Sequence, residues 1–183
     1  MGKKSVKIYT AIIIIAFFLI SALNYKVLFK IDNYQEVIVF VFAVVFSELL
    51  SIEASNVSNI SFSFAVYFTI LILFPPIQAG FIVAFGVFFA VYEEEKKYRH
   101  ILNSSVYKRL FNAASYFFTV YLSSAFFNYA DSVDKLRLGR FGIIALATTI
   151  LLYLFINSSI FMGLFALLSQ MSFKDMILKN IWA

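Results

Sequence analysis

The segment ISFSFAVYFTILILFPPIQAGFIVAFGVFFAVY, residues 60–92, decides the fold of this chain. Its first apolar run ends at Pro75 and Pro76, which lack backbone donors and force the preceding residue out of helical geometry. The chain must turn there, so the segment predicts two helices, over 60–74 and 77–92. As a helix, the first run is only about 20 Å long, which is too short to cross a hydrocarbon core of about 30 Å. Either the helix also includes the polar residues before the run, or the two helices form a re-entrant hairpin.

The composition of the whole chain requires an environment of lipid. Of its 183 residues, 62% are hydrophobic and 14% are charged, and the mean hydropathy is +0.89. A soluble domain is about 45–50% apolar, and a chain with this excess would leave large apolar patches in water. We therefore exclude a soluble globular protein and predict an all-α fold, a polytopic transmembrane helix bundle.

The other apolar runs predict four further helices. Six spans are expected in a single transmembrane domain covering residues 1–183, and they lie at 8–23, 37–52, 60–74, 77–92, 110–127 and 141–168. The last span is long enough to be tilted or broken near Asn157. Residues 53–61 are predicted to be a loop, and residues 169–183 a cytoplasmic or interfacial tail.

The distribution of lysine and arginine predicts the orientation. In a six-span arrangement, three basic residues of the N-terminal tail, five of the 93–109 connector and two of the C-terminal tail share one side. The loops on the other side hold two and three. The positive-inside rule then places both termini in the cytoplasm, and we expect a bacterial inner-membrane protein in contact with the lipid bilayer. The net charge of +5 needs no nucleic-acid partner, and no nucleic-acid-binding motif is present.

Four polar residues inside the predicted spans are candidates for a ligand-binding or helix-coupling site: Glu48, Gln78, Asn112 and Asn157. A carboxylate in the bilayer costs several kcal/mol unless it is protonated or paired. Glu48 lies near the end of its span, so it is either an interfacial structural residue or a buried ligand or proton site. The three amides can hydrogen-bond between helices, and structural contact is the alternative to ligand contact for each.

Small residues recur at four-residue spacing on the fourth predicted helix, as Gly80 with Ala84 and Gly86 with Ala90. This spacing lets another backbone approach closely. We therefore expect the helix to be central, with packing inside the bundle or contact in a homodimer as the alternatives.

The chain contains no motif for catalysis, and we expect neither an enzyme nor a bound cofactor or metal. It has no cysteine, and its one histidine, His100, has no second imidazole to share a metal ion with, which favours a solvated loop residue. No P-loop, dinucleotide fingerprint, nucleophile elbow or HExxH motif occurs. The run EEEKKYR, residues 93–99, is predicted to form a surface helix with paired charges.

From residue 46 to residue 130, the order of features resembles the MASE-like membrane sensor regions that precede GGDEF or HD-GYP output domains in bacterial cyclic-di-GMP signalling proteins. The pieces that carry the resemblance are SELLSIE (47–53) with Glu48, the Ser61-Phe62-Ser63-Phe64 start, the turn before Gly80, and YKRLFNAASYFFTVYLSSAFF (107–127) with its Lys108-Arg109-Leu110-Phe111-Asn112 portion.

The resemblance implies an integral membrane sensor that detects a membrane or small-molecule cue and couples it to a cytoplasmic output domain or partner protein. Because this chain has no GGDEF, HD or GYP signature, it would be the sensor half of such a protein, a truncated product or an isolated membrane piece. The substrate-binding components of energy-coupling-factor vitamin transporters are also similar, with six helices, cytoplasmic termini and glycine-bearing central helices like 77–92. A third interpretation is a structural membrane subunit.

Overall fold

The computed structural model describes residues 2–30, 33–50, 52–55, 58–60, 63–94, 97–134 and 140–169. The helices in these ranges are α1 (Gly2–Leu23), α2 (Tyr25–Leu28), α3 (Tyr34–Leu49), α4 (Ser63–Leu73), α5 (Pro76–Phe89), α6 (Val106–Asp134) and α7 (Arg140–Ser169). Each predicted span therefore overlaps a helix, although the spans predicted at 37–52, 60–74 and 77–92 extend into residues that form strands, and the predicted all-α class is confirmed.

Two short antiparallel hairpins interrupt the helical order. Strands β1 (Ile52–Ser55) and β2 (Ser58–Ile60) pair between α3 and α4, where a loop was predicted. Strands β3 (Tyr92–Glu94) and β4 (Lys97–Arg99) pair after α5, so the predicted surface helix at 93–99 is wrong. The strand register sets Glu94 opposite Lys97 in the backbone pairing of this hairpin.

The long helices alternate in direction. Relative to α6, α1 and α4 run the same way, whereas α5 and α7 run the opposite way; α3 is antiparallel to α4. The contacts that establish these directions are Thr10–Tyr107 and Phe17–Phe117 for α1, Tyr67–Tyr116 and Leu71–Ser124 for α4, Gly80–Phe117 and Ala90–Arg109 for α5, Phe111–Phe161 and Tyr116–Tyr153 for α7, and Phe40–Phe74 and Glu48–Tyr67 for α3.

Two ends of the bundle follow from these directions. The hairpin end holds the start of α1, both hairpins and the end of α7. The proline end holds α2, the Pro75–Pro76 turn, the end of α6 and the start of α7. The described chain thus begins and finishes at the hairpin end.

Helices α5 and α6 form the centre of the bundle. α1 and α7 pack on α6, while α3 packs on α5 and α4 touches both central helices. Buried residues of α5 join two apolar cores, one shared with α3, α4, α6 and α7 and the other with α1 and α6. Half of the apolar stretch of α6 is buried, against 11% for α1 and for α7, so the outer helices present most of their apolar surface outward.

Three helices are long and apolar enough to cross a membrane: Lys4–Leu23, Val106–Ala130 and Gly142–Ser169. They indicate a membrane protein, as the composition predicts. α4 and α5 are apolar but have only 11 and 14 residues, which gives them lengths of about 16 and 21 Å.

Several predicted boundaries change in the structure. α6 begins at Val106 and includes Lys108 and Arg109, which the sequence placed in a connector, because Arg109 is buried against α5. α7 runs through Asn157 without a break, since the polar residues there share a continuous helix with long apolar runs on both sides. The predicted tail, 169–183, lies outside the described residues apart from Ser169, the last residue of α7.

Candidate functional site

Glu48 lies in the last turn of α3, where its partly buried side chain reaches α4. The hydroxyl of Tyr67 donates a hydrogen bond of 2.5 Å to Glu48 Oε1. Tyr67 is only 1% exposed and lies one turn after the start of α4. This hydrogen bond therefore joins α3 and α4 inside the bundle. The β1–β2 hairpin lies between the same two helices in the sequence.

Two further tyrosines surround this bond. The ring of Tyr116, from α6, lies 5.3 Å from the ring of Tyr67 between centroids, in an edge-to-face arrangement. Tyr153, from α7, is 4% exposed and packs edge-to-face on Phe64 of α4 at 5.3 Å. Both phenols lie within electrostatic range of Glu48. We call Glu48, Tyr67, Tyr116 and Tyr153 the polar cluster; its members come from four helices.

The carboxylate of the polar cluster has no basic partner in the part of the chain that the structure describes. The hydrogen bond from Tyr67 is the contact that the structure gives it there. A charge within a helix bundle is expensive to keep without compensation by an opposite charge or a proton. The polar cluster is therefore suited chemically to bind a cation.

Buried polar atoms continue away from the cluster along α6 and α7. Thr149, Tyr153 and Asn157 recur every four residues and share one face of α7, and Ser123 lies two turns beyond Tyr116 on α6. Asn157 Oδ1 and Ser123 Oγ are buried without a hydrogen-bond partner among the described residues. Buried polar atoms are nearly always paired, so these two are exceptions within the described residues.

The structure brings together only part of the predicted site. Gln78 lies at the proline end, where its amide nitrogen donates to the carbonyls of Val27 and Lys30 at 2.9 Å each, so it supports the chain after α2. Asn112 lies one turn before Tyr116 on α6 and is partly buried, and Asn157 lies one turn after Tyr153 on α7. These two amides each lie one turn from a tyrosine of the polar cluster, toward the hairpin end, whereas Gln78 lies at the proline end.

The sequence analysis did not single out the three tyrosines. Tyrosine is common in membrane helices, and a single sequence gives no reason to prefer these three among the 11 in the chain. A usable signal was their spacing, since Tyr116 follows Asn112 by four residues and Tyr153 precedes Asn157 by four. Polar pairs at this spacing mark one face of a helix.

The small residues of α5 lie against neighbouring helices of the same chain. A Cβ atom added at Gly80 would meet the Phe117 carbonyl oxygen of α6 at 3.0 Å. At Gly86, an added Cβ would lie 2.3 Å from Cγ1 of Val44 on α3. Ala84 and Ala90 are each 2% exposed, in contact with the same interior. The close approaches that these residues permit are therefore to α6 on one side and to α3 on the other.

Arg109 is a buried residue that the sequence analysis placed in a solvated connector. Its side chain is 2% exposed, and Nη1 donates to the carbonyls of Phe88 and Ala90 at 3.0 and 2.7 Å. Its Nε contacts Ser104 Oγ, and its guanidinium lies 5.3 Å from the Tyr92 ring centroid. Arg109 thus supplies hydrogen-bond donors and a positive charge to the C-terminal end of α5. Both are favourable there, because the last carbonyls of a helix lack backbone donors and carry a partial negative charge.

His100 lies in the loop that follows β4. Its Nδ1 accepts a hydrogen bond from the backbone of Leu102 at 3.3 Å, and its own amide donates to Asn103. Across the described ranges, no group of three or more histidine, aspartate or glutamate side chains is arranged to hold a metal ion. In comparisons with known proteins, the chain matched no family model, no curated protein and no solved structure.

Proposed function

We propose that this chain is a six-span bacterial inner-membrane sensor domain that detects a small-molecule or membrane cue at the polar cluster. The cue changes how α3 and α4 pack, and the change reaches a cytoplasmic output domain or partner protein through the hairpin end. One observation carries the proposal: the Glu48–Tyr67 hydrogen bond lies inside the bundle, and Tyr67 shares a packed core with Tyr116 and Tyr153, so that the site draws on four helices.

The alternating helix directions support six crossings. In this arrangement α4 and α5 cross with about 16 and 21 Å of helix, less than the ~30 Å hydrocarbon core. Most of α5 is buried between α3 and α6. A helix shorter than the hydrocarbon core is acceptable there, because irregular backbone at membrane depth is tolerated where protein covers it.

The orientation with the hairpin end in the cytoplasm is supported by charge. Lys4, Lys7 and Lys108 are exposed at this end, where the half-buried Arg99 of β4 also lies. The positive-inside rule favours the cytoplasm for such an end. A signal that reached this end would be available to a cytoplasmic partner of the chain.

The position of Glu48 supports a route for the signal. Glu48 precedes the end of α3 by one residue, and β1 begins at Ile52. Tyr67 lies one turn into α4, which follows β2. Any cue that breaks or strengthens the bond between these side chains therefore acts on both helix ends that hold the β1–β2 hairpin.

Hydrogen exchange on the purified chain tests this coupling. Glu48→Gln removes the charge and Tyr67→Phe removes the donor, and we expect both to speed exchange of backbone amides at 46–50 and 63–67 and in the β1–β2 hairpin. Glu36→Gln is the matched control, since it makes the same change at the exposed, opposite end of α3. Exchange in 169–183 should change with the first two variants, because this segment leads to the output. Native exchange rates at the hairpin end in both variants would refute the coupling.

A further inference from the structure

We infer that the polar cluster binds a protonated primary amine, whose ammonium group replaces the Tyr67 hydroxyl as the partner of Glu48. This inference rests on the proposed function, because it names the chemical class of the cue recognised at the same site. It is carried by three features of the site: a carboxylate without a basic partner, aromatic rings on several sides, and a buried acceptor one helical turn away.

The carboxylate selects for a positive ligand. Glu48 has no basic partner within the described residues, and its one hydrogen bond there comes from a neutral hydroxyl. An ammonium ion supplies the missing charge and forms charge-assisted hydrogen bonds, which are about twice as strong as neutral ones. An anionic ligand would be repelled by the same carboxylate at short range.

The rings select for an organic cation over a hydrated metal ion. Tyr67, Tyr116 and Tyr153 present aromatic surface beside Glu48, and Phe64 adds a fourth ring through its contact with Tyr153. Cations are attracted to the faces of such rings, with a larger gain where water is excluded. Methylene groups of an amine can also pack on these rings, whereas a hydrated metal ion would need several oxygen ligands in their place.

The buried acceptor selects for an amine that carries N–H groups. Asn157 Oδ1 is buried and accepts from no donor in the described part of the chain. Asn157 follows Tyr153 by four residues, which places it about 6 Å further along the same face of α7. An amide oxygen can only accept, so its missing partner is a donor. A primary ammonium group has three N–H donors, whereas a quaternary ammonium has none.

Thermal unfolding of the purified chain in detergent, titrated with propylammonium chloride, tests the inference. Sodium chloride, sodium propionate and tetramethylammonium chloride at equal ionic strength are the reference salts. A ligand that binds the folded state raises the unfolding temperature in a saturable way. We expect saturable stabilisation by propylammonium, weaker stabilisation by tetramethylammonium, and none by propionate beyond that of sodium chloride.

Two substitutions locate the binding site. Glu48→Gln should weaken propylammonium binding about ten-fold or more, which corresponds to about 1.4 kcal/mol or more. Glu36→Gln should bind propylammonium like the native chain. If Glu48→Gln does not yield folded protein, Asn157→Ala provides the second variant, and it should weaken binding of propylammonium but leave that of tetramethylammonium unchanged.

The inference is overturned if propylammonium stabilises the native chain no more than sodium chloride does. It is also overturned if Glu48→Gln, or Asn157→Ala in its place, binds propylammonium as tightly as the native chain, or if tetramethylammonium binds equally well. These failures are separable from failure of the sensor function. Amine binding that leaves hydrogen exchange at the hairpin end unchanged refutes the sensor alone, whereas faster exchange in Glu48→Gln without any amine binding refutes the amine alone.

Discussion

The hydroxyl of Ser124 on α6 donates a hydrogen bond of 2.8 Å to the carbonyl of Leu71 on α4. In an uninterrupted helix that carbonyl would accept from the backbone nitrogen four residues later, which here belongs to Pro75 and carries no hydrogen. Ser124 therefore replaces the donor that the proline removes. The turn between α4 and α5 is stabilised by a side chain more than fifty residues further along the chain.

Ser124→Ala should destabilise the fold by about 1–3 kcal/mol, because the Leu71 carbonyl is left buried without a donor. The measurement is the free energy of unfolding in detergent micelles. Ser115→Ala is the matched control: it is equally buried on the same helix, but its hydroxyl bonds the Phe111 carbonyl of its own helix. A loss in Ser115→Ala as large as that in Ser124→Ala would contradict the role assigned to Ser124.

Gly86→Ala should destabilise the fold by about 1–3 kcal/mol through overpacking. The new methyl group would lie 2.3 Å from Cγ1 and 2.5 Å from Cβ of Val44, so α3 and α5 must separate. Thermal unfolding of the variant measures the loss. Adding Val44→Ala should recover only a small part of the stability, because it removes Cγ1 but leaves Cβ of residue 44 at 2.5 Å from the new methyl group. If the double variant is less stable than the two single losses added together, the contact is not the cause.

Arg109→Leu should cost about 2–3 kcal/mol, because it leaves the Phe88 and Ala90 carbonyls at the end of α5 without their donor. Arg109→Lys should recover only part of this, since an ammonium group lacks the planar fork that serves several acceptors. Lys108→Gln, at the exposed neighbouring position, is the control and should change little. Native unfolding temperature in Arg109→Leu would show that another group holds this end of α5.

Labelling of single cysteines in intact cells checks the orientation, and the chain offers a clean background because it has no native cysteine. Leu102, which is 88% exposed, lies at the hairpin end, and Gln35 is exposed at the proline end. We expect an impermeant thiol reagent added outside to label Gln35→Cys and not Leu102→Cys. The reverse pattern would show that the proline end faces the cytoplasm. Labelling of both cysteine variants from one side would exclude six crossings.

The helices were predictable because their signal is local. Pro75 and Pro76 determine the turn between α4 and α5, and runs of apolar residues determine where the helices lie. The charged run at 93–99 was predicted as a helix because its charges fit helical spacing; an isolated pair of this kind contributes only about 0.3–0.5 kcal/mol, too little to fix the structure of a short segment.

The candidate site was predictable only in part. Glu48 stood out because a carboxylate within an apolar run is costly, and this is visible in the sequence alone. Its partners Tyr67, Tyr116 and Tyr153 come from three other helices, and no local pattern relates them to Glu48. Gln78 is also a polar residue within an apolar run, as the other candidates are, yet its side chain hydrogen-bonds the carbonyls of Val27 and Lys30, far from Glu48.

By itself, the amino-acid sequence determined that this chain is helical and suited to lipid, because hydrophobicity and proline act on each segment independently of the rest. The tertiary structure decided which polar groups meet. Helix directions and close approaches at Gly80 and Gly86 bring Glu48 to three tyrosines and Arg109 to the end of α5, and those contacts depend on packing between segments distant in sequence.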